Sequence, residues 1–146
     1  MKITIETWVN SSVHQVKAGF NESLFKKLSP PFPPVELLRF DGSKTGDLVS
    51  LELNFIFFKQ KWTSEITEDG LVEGEFFFVD EGIELPFFLK KWKHRHRVIQ
   101  KQSGAVIRDE ITYAGPNHFM TLLLYPALYL QFLYRKPIYK KLFNKG

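Results

Sequence analysis

Cysteine is missing altogether from the 146 residues. That absence excludes a disulfide framework, a thiolate metal site and a cysteine nucleophile, and it agrees with a reducing compartment. Long apolar runs are scarce as well. The most apolar stretch, Phe119 to Tyr134, is 16 residues long and contains Pro126, whereas a bilayer span needs roughly 20 unbroken apolar residues. A transmembrane helix is therefore not expected. The opening residues, Met1-Lys2-Ile3-Thr4-Ile5-Glu6, alternate polar and apolar side chains and lack the apolar run and small-residue cleavage site of a signal peptide, so a cytoplasmic protein is expected. No glycine-rich phosphate loop is present, since Gly42-Ser43-Lys44-Thr45-Gly46 reads as a turn. Repeats, low-complexity tracts and interdomain linkers are absent too, and one domain over residues 1–146 is expected.

Aromatic side chains are abundant: 15 Phe, 5 Tyr and 3 Trp. An interior built from large flat rings packs well around an apolar guest. The net charge of +4 is mild, but it is unevenly placed. Lys90 to Lys101 and Arg135 to Lys145 hold eleven of the twenty basic residues, and Glu65 to Glu84 holds eight of the sixteen acids. A basic side and an acidic side follow.

Residues 2 to 9 carry the period-two pattern of a half-buried strand. Asn10-Ser11-Ser12 then supplies cap candidates for a helix through Gly19, and Asn21 or Ser23 for a second ending near Leu28. The segment Ser29-Pro30-Pro31-Phe32-Pro33-Pro34 cannot be helical and delivers the chain extended into Val35 to Phe40. From there to Tyr113 strands alternate with turn signals at Asp41-Gly42, Thr45-Gly46, Glu68-Asp69-Gly70 and Gln102-Ser103-Gly104. Val49, Leu51, Leu53, Phe55 and Phe57 fall on one face. After Asn117 the spacing turns helical, with Phe119, Leu122, Leu123, Leu130, Leu133 and Tyr134 forming the expected stripe, Leu130 and Leu133 facing the sheet, a kink or division at Pro126 and a bend at Pro137. The order gives an α+β fold: a curved antiparallel β-sheet wrapped round a long C-terminal α-helix, with two short helices after strand 1. A curved sheet and a straight helix fit poorly along their whole length, so a cavity between them is expected.

Several stretches carry a resemblance: Trp62-Thr63-Ser64-Glu65-Ile66; Pro86-Phe87 leading to Trp92-Lys93-His94-Arg95-His96-Arg97-Val98; Val106-Ile107-Arg108-Asp109-Glu110-Ile111-Thr112-Tyr113; and Tyr134-Arg135. Together they resemble the SRPBCC superfamily, the START-like helix-grip fold of lipid-transfer domains, pollen-allergen proteins and polyketide cyclase-like proteins, and within it a bacterial ligand-binding branch. The resemblance implies a cavity for a hydrophobic ligand, or alternatively cyclase or dehydratase chemistry. It does not choose between them, because one fold hosts many activities.

On the strand Trp92 to Val98, Trp92, His94, His96 and Val98 share one face and Lys91, Lys93, Arg95 and Arg97 the other. Four cations belong in solvent, so the imidazoles point inward. Asp109, between Ile107 and Ile111, is in the same position and needs partners. Three roles stay open for His94, His96 and Asp109: a satisfied polar cluster that fixes strand register, polar recognition of an otherwise apolar ligand, or acid-base or metal chemistry. No nucleophile-base motif accompanies them, no catalytic residue is assigned, and no metal or cofactor is expected. The ligand would be a small hydrophobic molecule lined by Phe55, Phe57, Trp62, Phe76, Phe78, Trp92 and Tyr113. With Gln102 and Ser103 central in their turn, Trp92 pairs with Tyr113, His94 with Ile111, His96 with Asp109 and Val98 with Ile107. With Ser103 and Gly104 central instead, His96 would face Ile111 on unchanged faces; the first register is favoured because it gives the buried Asp109 an imidazole partner, which should raise the pKa of His96 and lower that of Asp109 where attraction outweighs burial. The cationic strand face reads as solvated rather than as a nucleic-acid platform, and no obligate protein partner is evident. The C-terminal Arg135, Lys136, Lys140, Lys141 and Lys145 beside Phe132, Leu133, Ile138, Tyr139, Leu142 and Phe143 leave two readings, a docked helix or transient membrane-surface contact.

Overall fold

The computed structural model describes residues 1–144. Strand β1 (Lys2–Val9) buries every second residue, as its alternation requires. Helix α1 (Val13–Gly19) begins at Ser12, whose hydroxyl accepts from the Gln15 amide while the Gln15 side chain returns a bond to the Ser12 N–H, and α2 (Glu22–Leu28) is capped by Asn21. Five more long elements and one short one complete the sheet: β2 (Val35–Phe40), β3 (Leu48–Asn54), β4 (Lys59–Val72), β5 (Glu75–Glu84), β6 (Lys91–Lys101) and β7 (Gly104–Ala114). All seven strands form one antiparallel sheet in the order β1-β7-β6-β5-β4-β3-β2. Helices α3 (His118–Leu133) and α4 (Arg135–Phe143) follow, abutting at Tyr134.

Three expectations change. The β4–β5 turn falls at Glu73-Gly74, where Gly74 has φ 76°, instead of at Glu68-Asp69-Gly70. Gly70 lies inside β4 opposite Phe77, and a Cβ there would meet the Phe77 ring at 2.8 Å; the glycine makes room for an aromatic, not for a turn. Pro126 is accommodated within α3, and the helical run breaks ahead of Pro137, which has no N–H to donate to the Leu133 carbonyl. The buried side chains of α3 are Thr121, Leu128 and Phe132, while Leu130 is 63% exposed and Leu133 38%. Nearly every position of α3 is apolar, so spacing alone cannot choose its inner face. Specific polar bonds choose it. The Tyr113 hydroxyl donates to the Thr121 carbonyl at 2.8 Å, and the Thr121 hydroxyl accepts from the Gly115 N–H at 2.9 Å.

The core divides in two. One cluster joins α1, α2 and α4 to the sheet through Val13, Val16, Phe20, Leu24, Tyr139 and Phe143 against Phe76, Phe78, Val98 and Ile107. The other joins α3 to the sheet through Leu128 and Phe132 against Ile3, Ile5, Trp92, Ile111 and Tyr113. Between them on each central strand sits a polar residue: His94 and His96 separate Trp92 from Val98 on β6, and Asp109 separates Ile107 from Ile111 on β7.

Candidate functional site

The β6–β7 register pairs Trp92 with Tyr113, His94 with Ile111, His96 with Asp109 and Val98 with Ile107, as counted from the turn. Burial follows the parity: His94 is 2% exposed, His96 3% and Asp109 1%. Desolvated polar groups of this kind must find partners within the protein.

Their partners run diagonally. The His94 Nε2–H donates to Asp109 Oδ1 at 2.8 Å, and the His96 Nε2–H donates to Asp80 Oδ2 at 2.7 Å. The directly opposed pair, His96 and Asp109, stands at 3.8 Å, so the expected His96–Asp109 hydrogen bond is replaced by two others. Twist between neighbouring strands favours such offset contacts for long side chains. Asp80, on β5 opposite His94, is braced by the Trp92 indole, whose Nε1–H donates to Oδ1 at 3.0 Å. Arg135, the first residue of α4, lies 3.6 Å from Asp109 and 4.4 Å over the Phe132 ring. The two imidazoles stack at 3.5 Å, and His96 stacks on Phe78 at 4.1 Å.

Charge in this layer is set by competition between burial and pairing. Burial by itself would raise both carboxyls, yet the imidazole hydrogen bonds and the neighbouring positive groups hold Asp80 and Asp109 below the usual carboxylate range. His96 goes the other way from the expected rise. Burial, helped by repulsion from His94, outweighs the attraction of Asp80 and Asp109 and lowers it to about 4. Burial also raises the Tyr139 hydroxyl, which, like His96 Nδ1 and Arg135 Nη1, is buried with no hydrogen-bond partner among the described residues.

Beside this layer lies a cavity of about 120 Å³, partly open to solvent, between the sheet, α2 and the joint of α3 with α4. His94, His96, Trp62, Trp92 and Phe78 line it. Asp109 stands behind His94. Four expected lining residues are placed elsewhere. Phe76 packs against Phe20 in the α1 cluster and Tyr113 is covered by α3. Phe55 stacks on Phe58, and Phe57 is 93% exposed. Strand β3 stops at Asn54; Ile56 takes φ 76° and the Phe55 N–H donates to the Phe58 carbonyl, so the alternation that would have turned Phe55 and Phe57 inward ends before them.

Sequence reasoning missed Asp80, Gln131 and Arg135, all of which line the cavity. Asp80 could have been found by parity, since Phe76 and Phe78 alternate with it on β5. Among the surface charges, Arg97 is held by Glu75 and Glu110, and Arg95 lies over Phe77, so half of the cationic strand face is already engaged. Helix α4 turns Tyr139 and Phe143 into the core and leaves Lys140 and Lys141 outside, in a docked arrangement; Lys145 lies outside the described residues. No helix among the described residues is long and apolar enough to cross a membrane.

No family model matches the chain. Serpin A11 of Rattus norvegicus is 30% identical over 81 residues, which is 56% of this chain and 19% of that protein, so the match spans about a fifth of the relative's length. Solved structures align over nearly the whole chain. The Zhui aromatase/cyclase from Streptomyces sp. R1128 superposes with a TM-score of 0.66 at 13% identity, covering 94% of this chain and 89% of that one. The ginseng major latex-like protein 151 from Panax ginseng superposes with a TM-score of 0.57 at 16% identity, covering 92% and 97%. Identities this low speak for architecture alone. With the open seven-stranded antiparallel sheet, the two short helices after β1 and the long C-terminal helical run, they show that the chain has the helix-grip fold.

Proposed function

We propose that the protein binds a compact, largely apolar molecule in the cavity and holds its polar end against Asp80, His94, His96 and Arg135. The observation that carries this reading is the lining itself: Phe25, Leu28, Val49, Leu53, Trp62 and Phe132 converge on those four polar groups. Apolar walls with a few placed polar groups are the usual make-up of small-molecule sites. Size narrows the guest. An apolar cavity of ~150 Å³ takes up a single benzene ring, so about 120 Å³ suits one ring, and a longer chain would protrude through the open side. A cytoplasmic setting accords with a chain that has no cysteine.

A second reading, acid-base chemistry on a cyclic substrate, is favoured by one feature. His96 is neutral near pH 7, oriented by Asp80, and has an unpartnered Nδ1, which suits a proton acceptor. The likeness to an aromatase/cyclase is compatible with it.

Titration of the folded protein with a naphthalene-sulfonate probe, followed by tryptophan quenching at Trp62 and Trp92, tests the binding reading. Saturable uptake near one equivalent is expected, displaced by small aromatic competitors and reduced at least tenfold in Val49→Phe, which fills the cavity. Absence of saturable uptake, or uptake that Val49→Phe leaves unchanged, refutes it. His96→Gln separates the two readings: a binding protein loses a modest factor in affinity, whereas an enzyme loses turnover with binding largely kept.

A further inference from the structure

We infer that Asp80, His94 and His96 form a binding site for a first-row divalent transition-metal ion, with Asp109 and Trp92 holding two of the three ligands in position. One donor atom from each of the three residues lies within 4.8 Å of the others, drawn from two adjacent strands. Asp109 was the one third ligand that the spacing of the sequence could offer; the structure puts Asp80 in that place and moves Asp109 behind the site.

The proton positions support this arrangement. With His94 Nε2 committed to Asp109 at 2.8 Å, its Nδ1 is the atom left for a metal, and it faces Asp80 Oδ2 at 3.6 Å. Metal–ligand bonds of about 2.0 to 2.2 Å to His nitrogen and carboxylate oxygen bridge a gap of that size without moving either strand. On the third side, His96 Nε2 is 2.7 Å from the same Oδ2. To ligate it must give up that proton and carry one on Nδ1 instead. Nδ1 has no present partner and faces Asp109 Oδ1 at 3.8 Å, so the imidazole stays neutral and the proton count of the ring is unchanged.

Metal ligands are commonly braced from behind, a histidine by a carboxylate. Here Asp109 takes the His94 N–H, Arg135 flanks Asp109 at 3.6 Å, and the Trp92 indole pins the other oxygen of Asp80. Two carboxylates, Asp80 and Asp109, stand in this layer against the one guanidinium of Arg135, which favours a cation. Two nitrogens and one oxygen suit a first-row ion such as Zn²⁺ or Co²⁺ better than Ca²⁺ or Mg²⁺, which prefer oxygen. All three ligands line the cavity, and Asp80, with 15% of its side chain exposed, is the most accessible of the three, so the open coordination positions face the cavity. The same three side chains face the polar end of the proposed guest, but metal uptake and apolar-probe uptake are read separately, so either can fail alone.

Chelator-treated protein is titrated with Co²⁺ and Zn²⁺ at neutral pH. One equivalent should bind, with a visible Co²⁺ spectrum of a low-symmetry nitrogen and oxygen site. In the unaltered protein, ¹⁵N-detected imidazole spectra with Zn²⁺ should shift His94 Nδ1 and His96 Nε2 and move the His96 proton to Nδ1. Asp80→Asn and His96→Gln should lose the site, and Asp109→Asn should weaken it about ten- to a hundredfold. The exposed His14 and His118 provide the control, since His14→Gln/His118→Gln should bind as before. No saturable binding, binding lost in that control, or imidazole shifts confined to His14 and His118 would overturn the assignment. Because the spectra use the unaltered protein, a variant that fails to fold does not obscure the outcome.

Discussion

Acidification should unfold this protein earlier than its surface charge suggests, and His96 sets where. The imidazole is 3% exposed and faces Asp80 from β5, His94 from β6 and Asp109 from β7, with Arg135 from α4 beyond Asp109. Its folded pKa lies at about 4 against an ordinary 6.5. Between those values the unfolded chain holds a proton that the folded chain refuses, so stability rises with pH across the window. The contribution is complete above about pH 6.5 and is lost progressively as pH falls toward 4. At ~1.4 kcal/mol for each pH unit between the two values, the whole loss is roughly 3 kcal/mol, a large part of the ~5–15 kcal/mol that holds a domain together. Asp80 and Asp109, both lowered, act in the same direction at more acid pH, where their stabilisation disappears as they protonate. Urea unfolding monitored by tryptophan fluorescence at a series of pH values measures the slope. In His96→Gln the slope between about pH 4.5 and 6.5 should flatten, whatever that variant's absolute stability. An equal slope in wild type and variant, or stability that increases on acidification, would refute the reasoning.

Two further outcomes test the packing. Phe132→Ala, which empties a contact with Trp92, His94 and Arg135, should cost about 3 to 5 kcal/mol in denaturant unfolding, whereas Leu130→Ala, at an exposed site, should stay within ~0.5 kcal/mol; the reverse order would mean that α3 presents its other face. Gly104→Ala should be destabilising by more than ~2 kcal/mol, because a Cβ there collides with the Val9 carbonyl oxygen of the neighbouring strand, and a near-neutral effect would show that β1 and β7 are less closely seated.

How much of this was legible in the linear chain depended on whether polarity and position disagreed. In Lys91 to Val98 four cations force the other face inward, and that parity carried through to the register. In α3 nothing disagrees, because leucines and aromatics surround the whole helix, and the inner face had to be chosen by Thr121 and its partners. The Phe55 to Phe58 turn contains neither glycine nor proline, so nothing in its composition interrupts the strand pattern. The diagonal pairing of His94 with Asp109 and of His96 with Asp80 depends on sheet twist, a property of neighbouring strands and not of either one. The direction in which His96 moves is a balance of burial against attraction, and its winner needed the depth of the site and the 3.5 Å approach of His94.

The polar layer between the two apolar clusters has a consequence for how damage spreads. A truncation on the α1 side, at Phe143 for instance, and one on the α3 side, at Ile111, touch no common neighbour within the clusters, so their costs combine by simple addition. Within the layer the opposite holds. Asp80, His94, His96, Asp109 and Arg135 share hydrogen bonds and charge, and removing a second member after the first costs far less than it would alone. The interior thus behaves as two independent compartments joined by a single cooperative unit, and variation can accumulate in either compartment without being felt in the other.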